Sequence, residues 1–218
     1  MPQISSIEPQ KKIKNRFNVF IDGNFAFGID ENTLVKNNLR INQVLSQSEI
    51  EKIIKDNSLA KLQDAGLRFL SYRQRSEKEV RDYLINKIAK DENIKYSQAK
   101  DSPLVELALS KFRKYNYIND LEFAKWWVSS RTRTRPKGHQ VIRLELQRKG
   151  IDKDTIEAVL NKSPNQKVLA KKAIEKKIAR WQKLPPVELK KKVYRYLVSR
   201  GFDFETIKET FAHFAKKQ

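Results

Sequence analysis

The sequence of 218 residues contains no cysteine, only two histidines and only six glycines. Without cysteine, disulfide bridges and cysteine-based zinc sites are excluded. No HExxH, nucleophile-elbow or P-loop pattern is present, and the nearest carboxylate pairs are Asp91–Glu92 and Asp152–Asp154. Helix capping accounts for the second pair better than metal binding does. These absences argue against an enzyme, and we expect neither a metal nor a cofactor.

The sequence also lacks long apolar runs. No segment has the length of the apolar region of a signal peptide, and none approaches a membrane span. We therefore expect a soluble, cytoplasmic protein that does not bind to a membrane.

Positive charge is what the sequence has in excess. The chain carries 46 Lys and Arg residues against 26 Asp and Glu residues, a formal net charge of +20. Residues 1–56 contain 8 basic and 7 acidic side chains, whereas residues 121–150 contain 8 against 2 and residues 165–218 contain 15 against 5. Such a balance is typical of proteins that bind nucleic acid, an anionic membrane or an acidic protein surface. The excess of positive charge is therefore concentrated in the second half of the chain.

The N-terminal segment predicts a β-hairpin. Alternating apolar residues flank Asp22-Gly23, a dipeptide that favours a type I′ turn. A single hairpin is marginally stable in water, so we expect it to pair with the Ile4–Ile7 segment or to dock on helices.

From about residue 31 onwards the pattern is helical. Apolar residues recur at helical spacing, and three sites have the residue types of a helix N-terminus. These sites are Ser48 with Glu51, Ser76 with Glu79, and Ser102 followed by Pro103.

Residues 148–160 and 199–211 repeat each other with an offset of 51. In each copy a helix ends, a glycine takes the left-handed conformation and an aspartate caps the next helix. The matching positions are Gly150 and Gly201, Asp152 and Asp203, Thr155 and Thr206, and Ile156 and Ile207.

The first helical segment follows the same pattern with an offset of 62, which aligns Val80 and Leu84 with Ile142 and Leu146. Periods of this size indicate an all-α array of stacked helical units. We expect an N-terminal hairpin and short helix over residues 1–45, followed by units over residues 46–116, 117–163 and 164–218.

The segment SSRTRTRPKGHQ, residues 129–140, places a cation at every second position. Pro136–Gly138 is a turn signal that argues against a continuous helix, so the segment is interpreted as a loop. The cations suit either a solvated linker or an element whose guanidinium groups meet phosphates or carboxylates. The second interpretation makes six residues candidates for binding a partner or nucleic acid: Arg131, Arg133, Arg135, Lys137, Arg143 and Arg148.

The aromatic residues next to this segment are assigned mainly to packing. Phe123, Trp127 and Val128 share one helical face and are predicted to be core. Trp126 lies about 100° away around the helix, where it could shield a neighbouring unit or anchor an interface. His139 and His213 are assigned surface or packing roles.

Residues 115–152, YNYINDLEFAKWWVSSRTRTRPKGHQVIRLELQRKGID, resemble the signature of the RecX family, bacterial regulators of the RecA recombinase. Residues 68–84 resemble the first-unit motif of the family, and the resemblance covers roughly residues 59–211. The elements of the signature lie at Tyr117–Asp120, Phe123–Ala124, Arg131–Arg135 and Leu146–Ile151.

The resemblance implies a curved array of three-helix repeats that lodges in the groove of the RecA–DNA filament. It implies inhibition of ATP hydrolysis, strand exchange and the coprotease activity, and hence a role in recombination, DNA repair and the SOS response. Binding to single-stranded or double-stranded DNA would be weak and salt-sensitive, and the working expectation is a monomer. The sequence does not decide whether filaments are dismantled or stabilised. Replacing Arg131, Arg133 and Arg135 with Ala is expected to leave the fold intact and to weaken inhibition.

The alternative is a stand-alone DNA-binding protein of the helix-turn-helix or architectural type. The Gly-Ile-Asp turn resembles a helix-turn-helix joint. The residues after it, KDTIEAVLNK, are too acidic for a recognition helix, which should be net basic.

Overall fold

The computed structural model describes residues 2–11, 15–181 and 183–215. The backbone forms two compact units. The first unit comprises residues 1–72 and 81–115, and the second comprises residues 73–80 and 116–218.

The predicted hairpin is present and is part of a three-stranded antiparallel sheet. Its strands are β1 (Ile4–Pro9), β2 (Arg16–Ile21) and β3 (Asn24–Asp30), in the order β1-β2-β3. Asp22 and Gly23 have φ values of 48° and 83°, and a type I′ turn requires positive φ at both positions. The expected pairing of the hairpin with the segment at Ile4 is confirmed, since Ile4 lies opposite Ile21.

Eleven helices follow in the residues that the structure describes. They are α1 (Glu31–Lys36), α2 (Gln47–Ser71), α3 (Glu77–Asp91), α4 (Tyr96–Ala99), α5 (Pro103–Lys114), α6 (Asp120–Arg133), α7 (His139–Arg148), α8 (Lys153–Asn161), α9 (Gln166–Trp181), α10 (Pro186–Ser199) and α11 (Phe204–Ala215). The helical prediction after residue 31 is confirmed.

The first predicted helix N-terminus is wrong by two residues. Helix α2 begins after Ser46, whose hydroxyl accepts from the Glu49 N–H at 3.3 Å while the Glu49 carboxylate accepts from the Ser46 N–H at 2.7 Å. Both Ser46 and Ser48 are followed by Glu three residues later, but only Ser46 follows a buried leucine. Leu45 and Ile50 pack in one cluster, which is the hydrophobic staple of a helix that starts at residue 47.

The second predicted capping box is confirmed. The Glu79 N–H donates to Ser76 Oγ at 3.2 Å, and the Ser76 N–H donates to the Glu79 carboxylate at 3.3 Å. Ser102 is the N-cap of α5 with Pro103 in its first turn, although its hydroxyl forms no capping hydrogen bond.

The repeated glycine turns have the predicted geometry. Gly150 and Gly201 have φ values of 83° and 81°. The N–H of Ile151 donates to the Leu146 carbonyl at 3.1 Å, and the N–H of Phe202 donates to the Leu197 carbonyl at 3.2 Å. These are the hydrogen bonds of a Schellman motif. Asp152 and Asp203 then cap α8 and α11 through the N–H groups of Thr155 and Thr206, both at 2.8 Å.

Each glycine turn closes a small core. Helices α6, α7 and α8 enclose one apolar cluster, and α9, α10 and α11 enclose another. Phe123, Trp127 and Val128 lie in the first cluster as predicted, and Trp126 packs against it half-buried. The positions that align between repeats are fully buried in all three: Val80 and Leu84, Ile142 and Leu146, and Val193 and Leu197.

A half-buried ion cluster joins the N-terminus of α3 to the C-terminal end of α7. The Glu79 carboxylate accepts from both terminal nitrogens of Arg73, at 2.8 and 3.1 Å, and pairs with Lys149. Burial would raise the pKa of Glu79, but the hydrogen bonds from Arg73 and Lys149 outweigh it and lower the pKa to about 2.

Glu79→Gln is expected to lower the free energy of unfolding by about 2 kcal/mol at pH 7, because a charge-assisted pair becomes a neutral contact. The folded-state pKa lies below the ordinary value of 4.5, so the stabilisation is complete above pH 4.5 and is lost as the pH falls towards 2. Urea unfolding of both proteins at pH 7, 4 and 3 measures this, and the difference between them should shrink with falling pH. A difference that stays constant with pH would contradict the ionic role of Glu79.

Candidate anion-binding groove

The predicted basic loop is half helical. Helix α6 continues through Arg131 to Arg133, and only residues 134–138 form the connection to α7. The buried Thr132 hydroxyl donates to the Val128 carbonyl at 3.0 Å, and Pro136 then disfavours helical geometry at Arg135. The interpretation of residues 129–140 as a loop is therefore wrong for its first half.

Glu145 binds two of the six candidate cations. Arg131 Nε donates to the Glu145 carboxylate at 2.8 Å, Lys137 pairs with the same group, and Trp127 Nε1 donates to it at 2.9 Å. The Arg131 guanidinium lies 4.0 Å from the centroid of the Trp127 ring. Burial would raise the pKa of Glu145, but the hydrogen bonds from Lys137, Arg131 and Trp127 hold it below its ordinary value. Arg131 and Lys137 are thus tied into the surface of α6 and α7.

Arg143 is also paired within the molecule. Its guanidinium donates to the Glu157 carboxylate at 2.6 and 3.0 Å, which joins α7 to α8. Arg148 is exposed, and its carbonyl oxygen accepts from Lys78 Nζ at 3.2 Å. The Arg148 guanidinium has no carboxylate partner in the part of the chain that the structure describes.

Arg133 and Arg135 are exposed and line a groove of about 820 Å³. Its other wall is formed by α9 and by the C-terminal end of α10. Among the described residues that line the groove, Glu175 has the only carboxylate. The cations that line the groove are Arg133, Arg135, Lys172, Lys176, Lys177, Arg180 and Arg200.

These cations have almost no carboxylates near them within the molecule to balance their charge. None of the seven forms an ion pair within residues 2–11, 15–181 and 183–215. Like charges at this density repel one another, and the repulsion is relieved when an anion with several charges enters the groove. The arrangement is suited to phosphates or to a row of carboxylates.

The α9 wall was not singled out from the sequence. Lys172, Lys176 and Arg180 follow one another at intervals of four residues, which places them on one helical face. That spacing is the signal that could have identified the wall. Arg200 has no such signal, because it follows the end of α10 and reaches the groove only through the packing of α10.

Two main-chain hydrogen bonds hold the walls of the groove together. The Gly138 N–H donates to the Arg200 carbonyl at 2.8 Å, and the Gln140 N–H donates to the Gly201 carbonyl at 3.3 Å. A Cβ atom on Gly138 would lie 2.0 Å from the Gly201 carbonyl oxygen. The glycine turn after α10 therefore packs against the start of α7, and this contact sets the position of Arg200 relative to Arg135.

Aromatic rings line the groove, but cations cover their faces. Lys177 Nζ lies 5.7 Å from the centroid of Trp181 and 5.1 Å from that of Tyr196, and the Arg200 guanidinium lies 5.0 Å from Tyr196. The groove consequently presents charge and hydrogen-bond donors rather than free ring faces for stacking.

The histidine next to the groove is an internal contact. His139 is half-buried, with Nε2 2.5 Å from Ser163 Oγ, and burial lowers its pKa. In the described part of the chain, no group of three or more His, Asp or Glu side chains could hold a metal ion. No helix in these ranges combines the length and apolar character that crossing a membrane requires.

Comparison with known families finds four matching domain models. They are the regulatory protein RecX N-terminal domain over residues 2–46 and the first, second and third three-helix domains of RecX over residues 64–94, 119–160 and 168–211.

Curated relatives match nearly the whole chain. Regulatory protein RecX of Bacillus subtilis (strain 168) is 36% identical over 209 residues, which is 95% of this chain and 75% of the relative. Regulatory protein RecX of Listeria monocytogenes serotype 4b (strain F2365) is 33% identical over 208 residues, covering 94% and 73%.

Solved structures agree with the fold. A crystal structure of regulatory protein RecX superposes with a TM-score of 0.68 at 30% identity and covers 95% of this chain and 98% of that chain. The crystal structure of RecX from Lactobacillus salivarius superposes with a TM-score of 0.61 at 25% identity, covering 74% and 99%.

The structure separates the arginines of the basic segment into two roles. Arg131→Ala is expected to lower the free energy of unfolding by about 1 kcal/mol, because it removes the contact with Trp127 and one hydrogen bond to Glu145. The double variant Arg133→Ala/Arg135→Ala is expected to stay within about 0.5 kcal/mol of the parent. Urea unfolding at pH 7 measures both. Equal stability of the two variants would contradict this division of roles.

Proposed function

The chain belongs to the RecX family of regulatory proteins, and we propose that it regulates RecA by binding the RecA–DNA filament. Binding would inhibit ATP hydrolysis, strand exchange and the coprotease activity, and so modulate recombination, DNA repair and the SOS response. The protein acts without catalysing a reaction, as a cytoplasmic monomer.

The observation that carries this proposal is the groove with seven cations and one carboxylate. A filament that contains DNA offers phosphates and acidic protein groups at regular intervals. Repeated weak contacts with such a target add up, because each additional contact forms at high effective concentration. We propose that the units over residues 46–116, 117–163 and 164–218 contribute successive contacts.

Within the proposal, the six sequence candidates have different roles. Arg133 and Arg135 reach the anion directly, together with the cations of α9 and Arg200. Arg131 and Lys137 are paired with Glu145 and Arg143 with Glu157, so these three cations shape the surface that supports the contacts. Arg148 is exposed and contributes to the positive field.

A stand-alone DNA-binding protein is the second candidate, because the groove would also accept the backbone of naked DNA. Helix α8 does not fit a groove-reading helix, since it begins with the acidic Asp152 cap and Asp154, and its Glu157 is tied to Arg143. Any binding to naked DNA would therefore be dominated by phosphate contacts and would weaken steeply with salt.

The test is the hydrolysis of ATP by RecA on single-stranded DNA, measured while this protein is titrated well below the RecA concentration. We expect inhibition at substoichiometric ratios, under salt conditions where binding to naked DNA is weak. Arg133→Ala/Arg135→Ala is expected to raise the half-inhibitory concentration about tenfold, because two direct contacts with anions are lost.

The matched control is Lys192→Ala/Arg195→Ala, which removes the same charge from exposed positions on α10 that do not line the groove. Its half-inhibitory concentration should stay within about twofold of the parent. If both variants lose inhibition equally, net charge and not the groove is responsible. Inhibition that appears only when the protein saturates the DNA would support the second candidate.

A further inference from the structure

An aromatic patch lies on α10 and α11, apart from the residues that line the cationic groove. It borders a groove of about 590 Å³. Phe204, the first residue of α11, is 68% exposed, and the small residues Ala212 and Ala215 are also exposed. The residues of the aromatic patch are Lys190, Tyr194, Phe204, Lys208, Phe211, Ala212 and Ala215.

The internal repeat shows that the fold does not need an apolar surface here. With the offset of 51, Tyr194, Phe204 and Lys208 correspond to Arg143, Lys153 and Glu157. In the second repeat the same face is polar, and Arg143 and Glu157 form an intramolecular ion pair there. A three-helix unit therefore folds with charged residues at these positions. Phe204 of the third repeat buries little apolar surface, so the stability of the fold does not explain why a phenylalanine occupies this position.

The rim of the aromatic patch is positive. Lys190 and Lys208 are exposed, and neither forms an ion pair with a carboxylate in the part of the chain that is described. A partner that fills the patch should therefore combine an apolar side chain with flanking carboxylates.

The ring geometry favours a protein over a nucleobase. Tyr194 packs edge-to-face against both Phe204 and Phe211, with interplanar angles of 66° and 67°. Lys190 Nζ lies 5.6 Å from the centroid of the Tyr194 ring. No two of these three rings form a parallel platform for consecutive bases, whereas the space beside Ala212 and Ala215 suits an inserted aliphatic or aromatic side chain.

We propose that the aromatic patch docks a protein segment that inserts one apolar side chain beside Phe204 and sets carboxylates against Lys190 and Lys208. This inference rests on the proposed function, which makes the RecA subunits of the filament the source of that segment. The cationic groove and the aromatic patch are then two separate contacts, one for anionic groups and one for an amphipathic protein surface.

The experiment measures binding of the protein to RecA filaments formed on an oligo(dT) strand, with naked oligo(dT) as a parallel arm. Phe204→Ala is expected to weaken binding to the filament about tenfold and to leave binding to naked DNA unchanged. Phe204→Lys installs the residue that the second repeat carries at this position, and it should give a loss of at least the same size without unfolding the protein.

The matched control is Phe25→Ala. Phe25 is 60% exposed and lies 5.9 Å edge-to-face from Phe20, close to the 6.0 Å that separates Phe204 from Tyr194. It lies in the other compact unit, on β3, and its replacement should leave filament binding within twofold, as is usual for a residue outside an energetic hot spot.

Three outcomes would overturn the inference, and they differ from one another. If the unmodified protein binds filaments no better than naked DNA, the proposed function fails as well. If it binds filaments and Phe204→Ala matches Phe25→Ala, only the docking role of the aromatic patch fails. If Phe204→Ala loses affinity for naked oligo(dT) as strongly as for the filament, the occupant is a nucleobase and not a protein.

Discussion

The cationic groove depends on one contact, in which the glycine turn after α10 packs against the start of α7. Gly201 follows α10 in the left-handed conformation, and its carbonyl accepts a hydrogen bond from the Gln140 N–H at the N-terminus of α7. Gly138 allows the two backbones to approach closely, because any side chain at this position would strike the Gly201 carbonyl. Donors at the start of α7 that lack intrahelical partners are thereby satisfied by carbonyls at the end of α10. The same contact aligns the two walls of the groove.

The scarcity of acidic residues in the second half gives each carboxylate a large effect. Glu145 binds Arg131 and Lys137, Glu157 binds Arg143, and each of these ion pairs joins two helices or a helix and its preceding loop. A cation near one of these carboxylates becomes part of the structure. A cation without one remains available to an external anion, so the positions of a few acids decide which arginines and lysines can serve a partner.

Local interactions account for most of what could be predicted from the sequence. The Asp22-Gly23 turn, the Ser76–Glu79 capping box and the two glycine turns each involve residues a few positions apart, and all are confirmed. The prediction of Ser48 as a helix N-cap failed because the start of α2 depends on the packing of Leu45, which is not a property of the capping pattern itself. The prediction of a loop over the basic segment failed because Pro136 ends the helix only after Arg133, so its turn signal does not extend back to Arg131.

The sequence by itself determined the repeated helical units, the turns that separate them and the excess of positive charge, because these follow from spacing and composition. Only the tertiary structure decided which cations are free. Glu145 lies 14 residues from Arg131, and Arg200 lies 65 residues from Arg135, so chain spacing does not reveal that the first pair is bonded or that the second pair lines one groove. Electrostatic contacts act across space, and the packing of α7 against the end of α10 is what brings these groups together.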